Sequence, residues 1–115
     1  MYTNFHRICI DKPIAIKPDE CIVYSFGSNG DWTFEELMEN YGCRVYVFDH
    51  RLIKLGDHQH SPNIKFHLIG LNIRDVTAVV VDEYGLNGTS RFRTLSKIYK
   101  MMVPEHGKKI VDYLK

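Results

Sequence analysis

The sequence has almost no net charge and no long apolar run. Fifteen Lys and Arg residues stand against fourteen Asp and Glu residues, which leaves a formal net charge of +1. This charge balance does not indicate a basic surface that would bind nucleic acid or an anionic membrane. No stretch approaches the ~18 apolar residues of a transmembrane helix, and the first residues lack the apolar segment of a signal peptide. Within these 115 residues, the sequence therefore predicts neither a basic nucleic-acid-binding surface nor a membrane span.

Cysteine is scarce, and the spacing of the cysteines does not indicate a set of disulfides or a zinc site. Cys9, Cys21 and Cys43 are odd in number and form no CxxC pair. We therefore expect small buried thiols in a reduced protein rather than a disulfide or zinc framework, which favours a reducing compartment. His58 and His60 lie in a polar segment without helix or strand spacing, so no metal site is expected there or at His50.

The apolar residues that are present indicate a globular α/β fold. Hydrophobic residues make up 44% of the sequence and charged residues 25%, close to the globular average. After a mixed segment over residues 1–20, residues 21–26 read as a buried parallel strand closed by Gly27. A polar turn, a helix and a second strand over residues 43–49 follow, and together they predict a right-handed βαβ unit.

The start of the predicted helix carries recognisable signals. Thr33 is expected to cap it, with Glu36 three residues later completing a capping box, and Trp32 and Leu37 have the spacing of a hydrophobic staple. Gly42 stands where a C-terminal glycine belongs. The expected buried face has helical spacing and consists of Phe34, Leu37, Met38 and Tyr41.

The rest of the chain continues the alternation of strands and helices. Residues 50–63 predict a loop or frayed helix, 64–70 a third strand, and 71–90 an inserted hairpin. A helix over about 92–103, ended by Pro104 and Gly107, leads to a fourth strand within 110–115. The prediction is a Rossmann-like open parallel sheet with flanking helices, truncated after the fourth core strand. Residues 21–115 would form the N-terminal half of that domain.

In such a sheet, ligands bind at the carboxyl ends of the strands. Gly27 permits a tight turn, and the loop amides with the helix N-terminus suit a negative group. Asp49 follows Gly27 by 22 positions, and its carboxylate can accept hydrogen bonds from two ribose hydroxyls. The predicted cofactor-binding residues are Ser25, Phe26, Gly27, Ser28, Asn29, Gly30, Asp49 and His50.

The glycine pattern discriminates between nucleoside cofactors. In the dinucleotide fingerprint GxGxxG, the second and third glycine positions would here be Asn29 and Trp32. A pyrophosphate needs close backbone approach at the second position. The pattern therefore disfavours NAD and is compatible with S-adenosylmethionine, which carries no phosphate.

A longer string of residues carries a family resemblance. VYSFGSNGDWTFEELMENYGCRVYVFDH resembles the opening motifs of the methyltransferase-like protein 24 family of class I methyltransferases, as do RTLSKIYKMM and IVDYLK farther on. The resemblance covers roughly residues 5–70 and 91–115. It implies a methyltransferase that uses S-adenosylmethionine, with Gly27 and its neighbours at the methionine part and Asp49 at the ribose.

The same resemblance limits what this stretch of sequence is expected to do. In such families an acidic stretch lining the active site follows the fourth strand, and the printed sequence reaches Lys115 before any such stretch. We expect the cofactor-binding half of the enzyme, with no acceptor or catalytic base to name. Its fourth strand would leave an open edge that invites self-association. A non-catalytic Rossmann-like binding module and a fragment of a nicotinamide-dependent oxidoreductase stand as alternatives.

Overall fold

The protein is represented by a computed structural model, which describes residues 21–115 except for residues 29, 54, 82–84, 86 and 108–109. The segment 1–20, Asn29 and the acidic pair Asp82 and Glu83 lie outside the described residues. The elements are β1 (Ile22–Phe26), α1 (Thr33–Tyr41), β2 (Arg44–Phe48), β3 (His58–Ser61), β4 (Ile64–His67), β5 (Ile69–Leu71), β6 (Val76–Val81), β7 (Asn87–Arg93), α2 (Leu95–His106) and β8 (Tyr113–Leu114).

A mostly parallel five-stranded sheet forms the centre of the fold, in the order β3-β4-β2-β1-β8. β1 pairs in parallel with β2 and with β8, and β2 pairs in parallel with β4. The predicted βαβ unit is therefore confirmed. The fourth predicted strand is also confirmed, because Tyr113 in β8 stands opposite Val23 in β1. Self-association through the edge of that strand stays a prediction.

The central strands are buried on both faces, as their continuous apolar runs predict. Alternate residues of β1 and β2 point to opposite sides. Val23 and Val45 belong to a cluster with Phe34 and Met38 of α1. Tyr24 and Phe48 belong to a second cluster, which includes residues of α2. The two helices thus flank the described sheet, one on each face.

The start of α1 differs from the prediction. The side chain of Asp31 makes the first contacts, because its Oδ1 accepts hydrogen bonds from the amide of Thr33 (3.0 Å) and from the Thr33 hydroxyl (2.7 Å). Trp32 occupies the cap position and contributes no side-chain hydrogen bond there. The staple is wrong as well, since Leu37 is 60% exposed and Trp32 stacks on His60 with ring centroids 4.0 Å apart.

The segment between the second and third predicted strands is also more ordered than expected. Part of the predicted loop or frayed helix forms β3, which pairs antiparallel with β4. Glu39 of α1 secures the turn that follows, because its carboxylate accepts hydrogen bonds from the Ser61 hydroxyl and from the Asn63 amide (2.7 Å). These partners come from distant parts of the chain, so local polarity could not reveal this edge strand.

The inserted hairpin is confirmed and builds a sheet of its own. β6 and β7 pair antiparallel, and β7 pairs in parallel with β5 to complete a three-stranded sheet. The predicted third strand is split between the two sheets, β4 lying in one and β5 in the other. None of the described helices is long and apolar enough to cross a membrane.

The predicted second helix is displaced along the chain. Phe92 lies in β7, and α2 begins only after Thr94, whose hydroxyl accepts a hydrogen bond from the Lys97 amide at 3.1 Å. Pro104 lies inside the last turn, and Gly107 follows the helix with a φ of 62°. Pro104 therefore does not end the helix, although the sequence predicted that it would. The helix continues to His106 and ends at Gly107.

The prediction of unpaired cysteines is wrong for two of the three. Cys21 and Cys43 form a disulfide, with their Cα atoms 4.8 Å apart. Each residue immediately precedes a strand, and β1 and β2 pair in parallel from Ile22 opposite Arg44. Equivalent positions just before adjacent parallel strands are neighbours, which is the geometric reason for the pairing. Since disulfides persist in oxidising environments, these cysteines no longer indicate a reducing compartment.

Candidate functional site

A cavity of about 240 Å³ lies at the carboxyl ends of β1 and β2. Its lining comes from Phe26 and Gly27 at the end of β1, from residues 48–51 after β2, and from residues 70–71 in β5. Four predicted site residues, Phe26, Gly27, Asp49 and His50, therefore share one cavity. Ligands of open α/β sheets bind at this edge.

The loop after β1 turns sharply at Gly27. The φ of Gly27 is +78°, a conformation that side chains other than glycine rarely adopt. Its amide donates a hydrogen bond to the carbonyl of Phe48 at 2.9 Å, which ties the first turn of the loop to the end of β2. Gly30 also has a positive φ, at 84°. The loop then leads directly into the N-terminus of α1, and the positive end of a helix dipole favours anionic groups.

Asp49 is the buried acidic residue of this cavity. It is 2% exposed, and its Oδ1 accepts a hydrogen bond from the Arg51 amide at 2.8 Å. The Arg51 side chain, half exposed, brings its Nε to 3.5 Å from the same oxygen. A carboxylate offers about four acceptor positions, so these contacts are compatible with further bonds to a pair of hydroxyl groups.

The inserted hairpin packs against His50, one of the residues that line the cavity, and the sequence did not reveal this contact. The Ser90 hydroxyl donates a hydrogen bond to the His50 carbonyl at 2.7 Å. The ring of Phe92 lies 5.0 Å from that of His50. Gly70 is wedged between them, because an added Cβ would lie 2.6 Å from the Phe92 ring and 3.0 Å from the His50 side chain. Glycine is required at position 70 by this close approach.

A buried charge cluster on the other side of β1 is the main feature that sequence reasoning missed. Glu35 is 0% exposed, although it stands in the first turn of α1, where acidic side chains commonly lie at the surface and interact with the helix dipole. Its Oε2 accepts a hydrogen bond from the hydroxyl of Ser25 and lies 3.3 Å from the Lys115 Nζ. The only signal in the sequence was a second acidic residue beside Glu36, which did not distinguish the buried one from the exposed one.

Two buried polar atoms beside the loop have no hydrogen-bond partner among the described residues. They are Oε1 of Glu35 and Oγ of Ser28. Ser28 is 3% exposed and follows Gly27 directly. Because an unsatisfied buried polar group is costly, such atoms are candidates for contact with a ligand.

His67 ends β4, next to the same edge of the sheet. Its ring stacks on Phe48 at 5.6 Å and lies between the carboxylates of Asp57 (3.8 Å) and Glu105 (3.7 Å). Burial lowers the pKa of His67 below its ordinary value, and the two carboxylates offset this effect only in part. The structure thus places this histidine at a partly buried core position rather than in the cavity.

A larger hollow of about 440 Å³ lies between α2 and the β1–β8 pair. Tyr24, Tyr99 and Val111 are among its lining residues, and its walls are almost entirely apolar. It lacks the convergent polar groups that orient a small ligand. Among the residues that the structure describes, no group of three or more His, Cys, Asp or Glu side chains could hold a metal ion.

A mostly parallel sheet with a cavity at the carboxyl ends of its first two strands, lined by a buried carboxylate, is typical of Rossmann-like α/β proteins. Comparison with protein families narrows this class, because a family described as Methyltransferase domain matches residues 4–115. The chain belongs to this methyltransferase domain family. No curated protein and no solved structure matches the chain.

Proposed function

We propose that the chain binds S-adenosylmethionine in the cavity at the ends of β1 and β2 and supplies the cofactor-binding site of a methyltransferase. The observation that carries the proposal is the meeting of Gly27 and Asp49 in one cavity. A loop amide is hydrogen-bonded across to β2, and a buried carboxylate follows that strand. The family match supports methyl-donor chemistry for this cavity.

The residues suggest how each part of the cofactor would be held. Asp49 would accept hydrogen bonds from the two ribose hydroxyls, for which an acceptor-only carboxylate is suited. The loop amides between Gly27 and Gly30 would bind the methionine end. The motif string around this loop supports the closer relationship with the methyltransferase-like protein 24 family as part of the same proposal.

The reaction supported by this assignment is methyl transfer to an acceptor. The cofactor supplies an electrophilic sulfonium methyl group, and the residues of the chain contribute positioning and electrostatic support. A dinucleotide is disfavoured because Trp32, at the third glycine position of the fingerprint, stacks on His60 at 4.0 Å at the start of α1. A dinucleotide fold has glycine at this position, because close helix–strand packing there leaves no room for a large side chain.

Calorimetric titration with S-adenosylhomocysteine and with NAD tests the proposal. The wild-type chain should bind the former and not the latter. Asp49→Ala should weaken S-adenosylhomocysteine binding by about 1–3 kcal/mol, because two hydrogen bonds to a buried carboxylate are lost. Asp75→Ala is the matched control, since Asp75 also accepts a backbone amide bond, from Thr94 at 3.0 Å, but does not line the cavity.

Two results would count against the proposal. A folded wild-type chain that binds no S-adenosylhomocysteine would refute the cofactor assignment. Equal weakening by Asp49→Ala and Asp75→Ala would refute the ribose contact, because it would show a general loss of stability.

A further inference from the structure

We infer that Glu35, together with Ser28, binds the α-ammonium group at the amino-acid end of the cofactor. This inference rests on the proposed function and adds a binding residue to it. Glu35 lies on α1 and is not one of the residues that the strand-end pattern predicts.

The buried carboxylate of Glu35 is only partly satisfied by hydrogen bonds. The side chain is fully buried. One of its oxygens is used by Ser25 and Lys115, whereas Oε1 has no hydrogen-bond partner among the described residues. A buried carboxylate oxygen without a donor is unfavourable in the absence of a ligand. A ligand that brings an N–H donor would remove this penalty.

The two unpartnered atoms, Glu35 Oε1 and Ser28 Oγ, can both accept hydrogen bonds. A carboxylate oxygen only accepts hydrogen bonds, and a serine hydroxyl can also accept them. An ammonium group carries three donors and no acceptor. Glu35 Oε1 and Ser28 Oγ therefore match an ammonium group better than a carboxylate or a phosphate. The positive Nζ of Lys115, 3.3 Å from Glu35 Oε2, provides a complementary charge for the carboxylate of the same amino-acid zwitterion.

The strand order places Lys115, the partner of Glu35, across β1 from Asp49. Asp49 follows β2 on one side of β1, whereas Lys115 follows β8 on the other. Neighbouring strands are ~4.8 Å apart, so the two ends of the site are separated by roughly two strand spacings, on the order of 10 Å. An elongated ligand with its ribose at Asp49 would cross the end of β1 and extend its other end toward Glu35.

Binding of two ligands that differ at the amino-acid end tests this inference. S-Adenosylhomocysteine carries the zwitterion, and 5′-methylthioadenosine lacks it. In the Glu35→Gln variant, binding of S-adenosylhomocysteine should weaken by about 10- to 100-fold, the range for a lost hydrogen bond to a charged group. Binding of 5′-methylthioadenosine should stay within about threefold of wild type.

Glu36→Gln is the matched control. It removes the same charge from the same helical turn, but the Glu36 side chain is 55% exposed and contacts His60. Both ligands should bind this variant as they bind wild type. If Glu35→Gln does not fold, Ser28→Ala replaces it, with about tenfold weaker S-adenosylhomocysteine binding and unchanged 5′-methylthioadenosine binding expected.

The outcomes separate this inference from the proposed function. Unchanged S-adenosylhomocysteine binding in Glu35→Gln would overturn the inference, and so would equal weakening of both ligands, which would indicate a structural role in the loop. In either case, binding of 5′-methylthioadenosine by the wild-type chain would still support the proposed adenosine-binding cavity. If the wild-type chain bound neither ligand, the proposed function would fail and the inference with it.

Discussion

The disulfide between Cys21 and Cys43 should contribute a substantial part of the stability of the chain. The two residues are 22 positions apart, and a crosslink closing a loop of this size lowers the entropy of the unfolded state by an amount worth about 3 kcal/mol at 25 °C. Total stabilities of domains are about 5–15 kcal/mol. Loss of the crosslink should therefore remove a fifth or more of the free energy of unfolding.

Urea unfolding of three samples measures this contribution: the wild-type chain, the reduced wild-type chain, and the double variant Cys21→Ala/Cys43→Ala. The reduced chain and the double variant should each lose about 3 kcal/mol, whereas a Cys9→Ala control should lose none of this crosslink contribution. Thiol titration of the unfolded, unreduced chain should find one of the three cysteines free. Three free thiols in protein kept from reductants, or equal stability of the double variant and wild type, would refute the reasoning.

Two further predictions concern Gly70, which lines the cavity, and His67 at the end of β4. Gly70→Ala should destabilise the chain by about 1–3 kcal/mol, because its Cβ would lie 2.6 Å from the Phe92 ring; thermal unfolding measures the loss, and exposed Thr77→Ala is the control. An unchanged midpoint for Gly70→Ala would contradict the close approach. Because burial lowers the pKa of His67, the unfolded state binds its proton more readily, and the free energy of unfolding should fall as pH drops below about 6.5. His67→Gln should flatten this dependence, and an unaltered pH slope would show that His67 is not its source.

The central βαβ unit was predictable because its signals are local. Continuous apolar runs identify β1 and β2, and the distance between them leaves room only for one helix and its turns. Gly27 and Asp49 follow these strands directly, so the edge of the sheet brings them together whatever the rest of the chain does.

Other features depend on partners that are distant in sequence. β3 consists of polar residues and is a strand because β4 lies beside it. The disulfide follows from the register of two parallel strands, which cysteine spacing alone does not encode. Asp31 and Thr33 are both polar residues near the start of α1. The backbone geometry determines that Asp31, rather than Thr33, accepts the hydrogen bonds there.

The burial of Glu35 was the least predictable feature of the site. Glu35 and Glu36 are adjacent and chemically identical, but one faces the Ser25 hydroxyl and the other faces solvent and His60. Which of them is buried depends on the rotation of α1 about its axis. That rotation is fixed by Phe34 and Met38 entering the core, whereas the expected contribution of Leu37 would have rotated the buried face away from Glu35.

The proposed function depends on binding of S-adenosylmethionine in the cavity at the ends of β1 and β2. Amide NMR titration of the isotopically labelled chain with S-adenosylhomocysteine tests it most directly. We expect shifts at Gly27, Gly30, Asp49 and Gly70, with the amides at the C-terminal end of α2 unaffected. Absence of shifts, or shifts confined to the apolar hollow around Tyr99 and Val111, would contradict it.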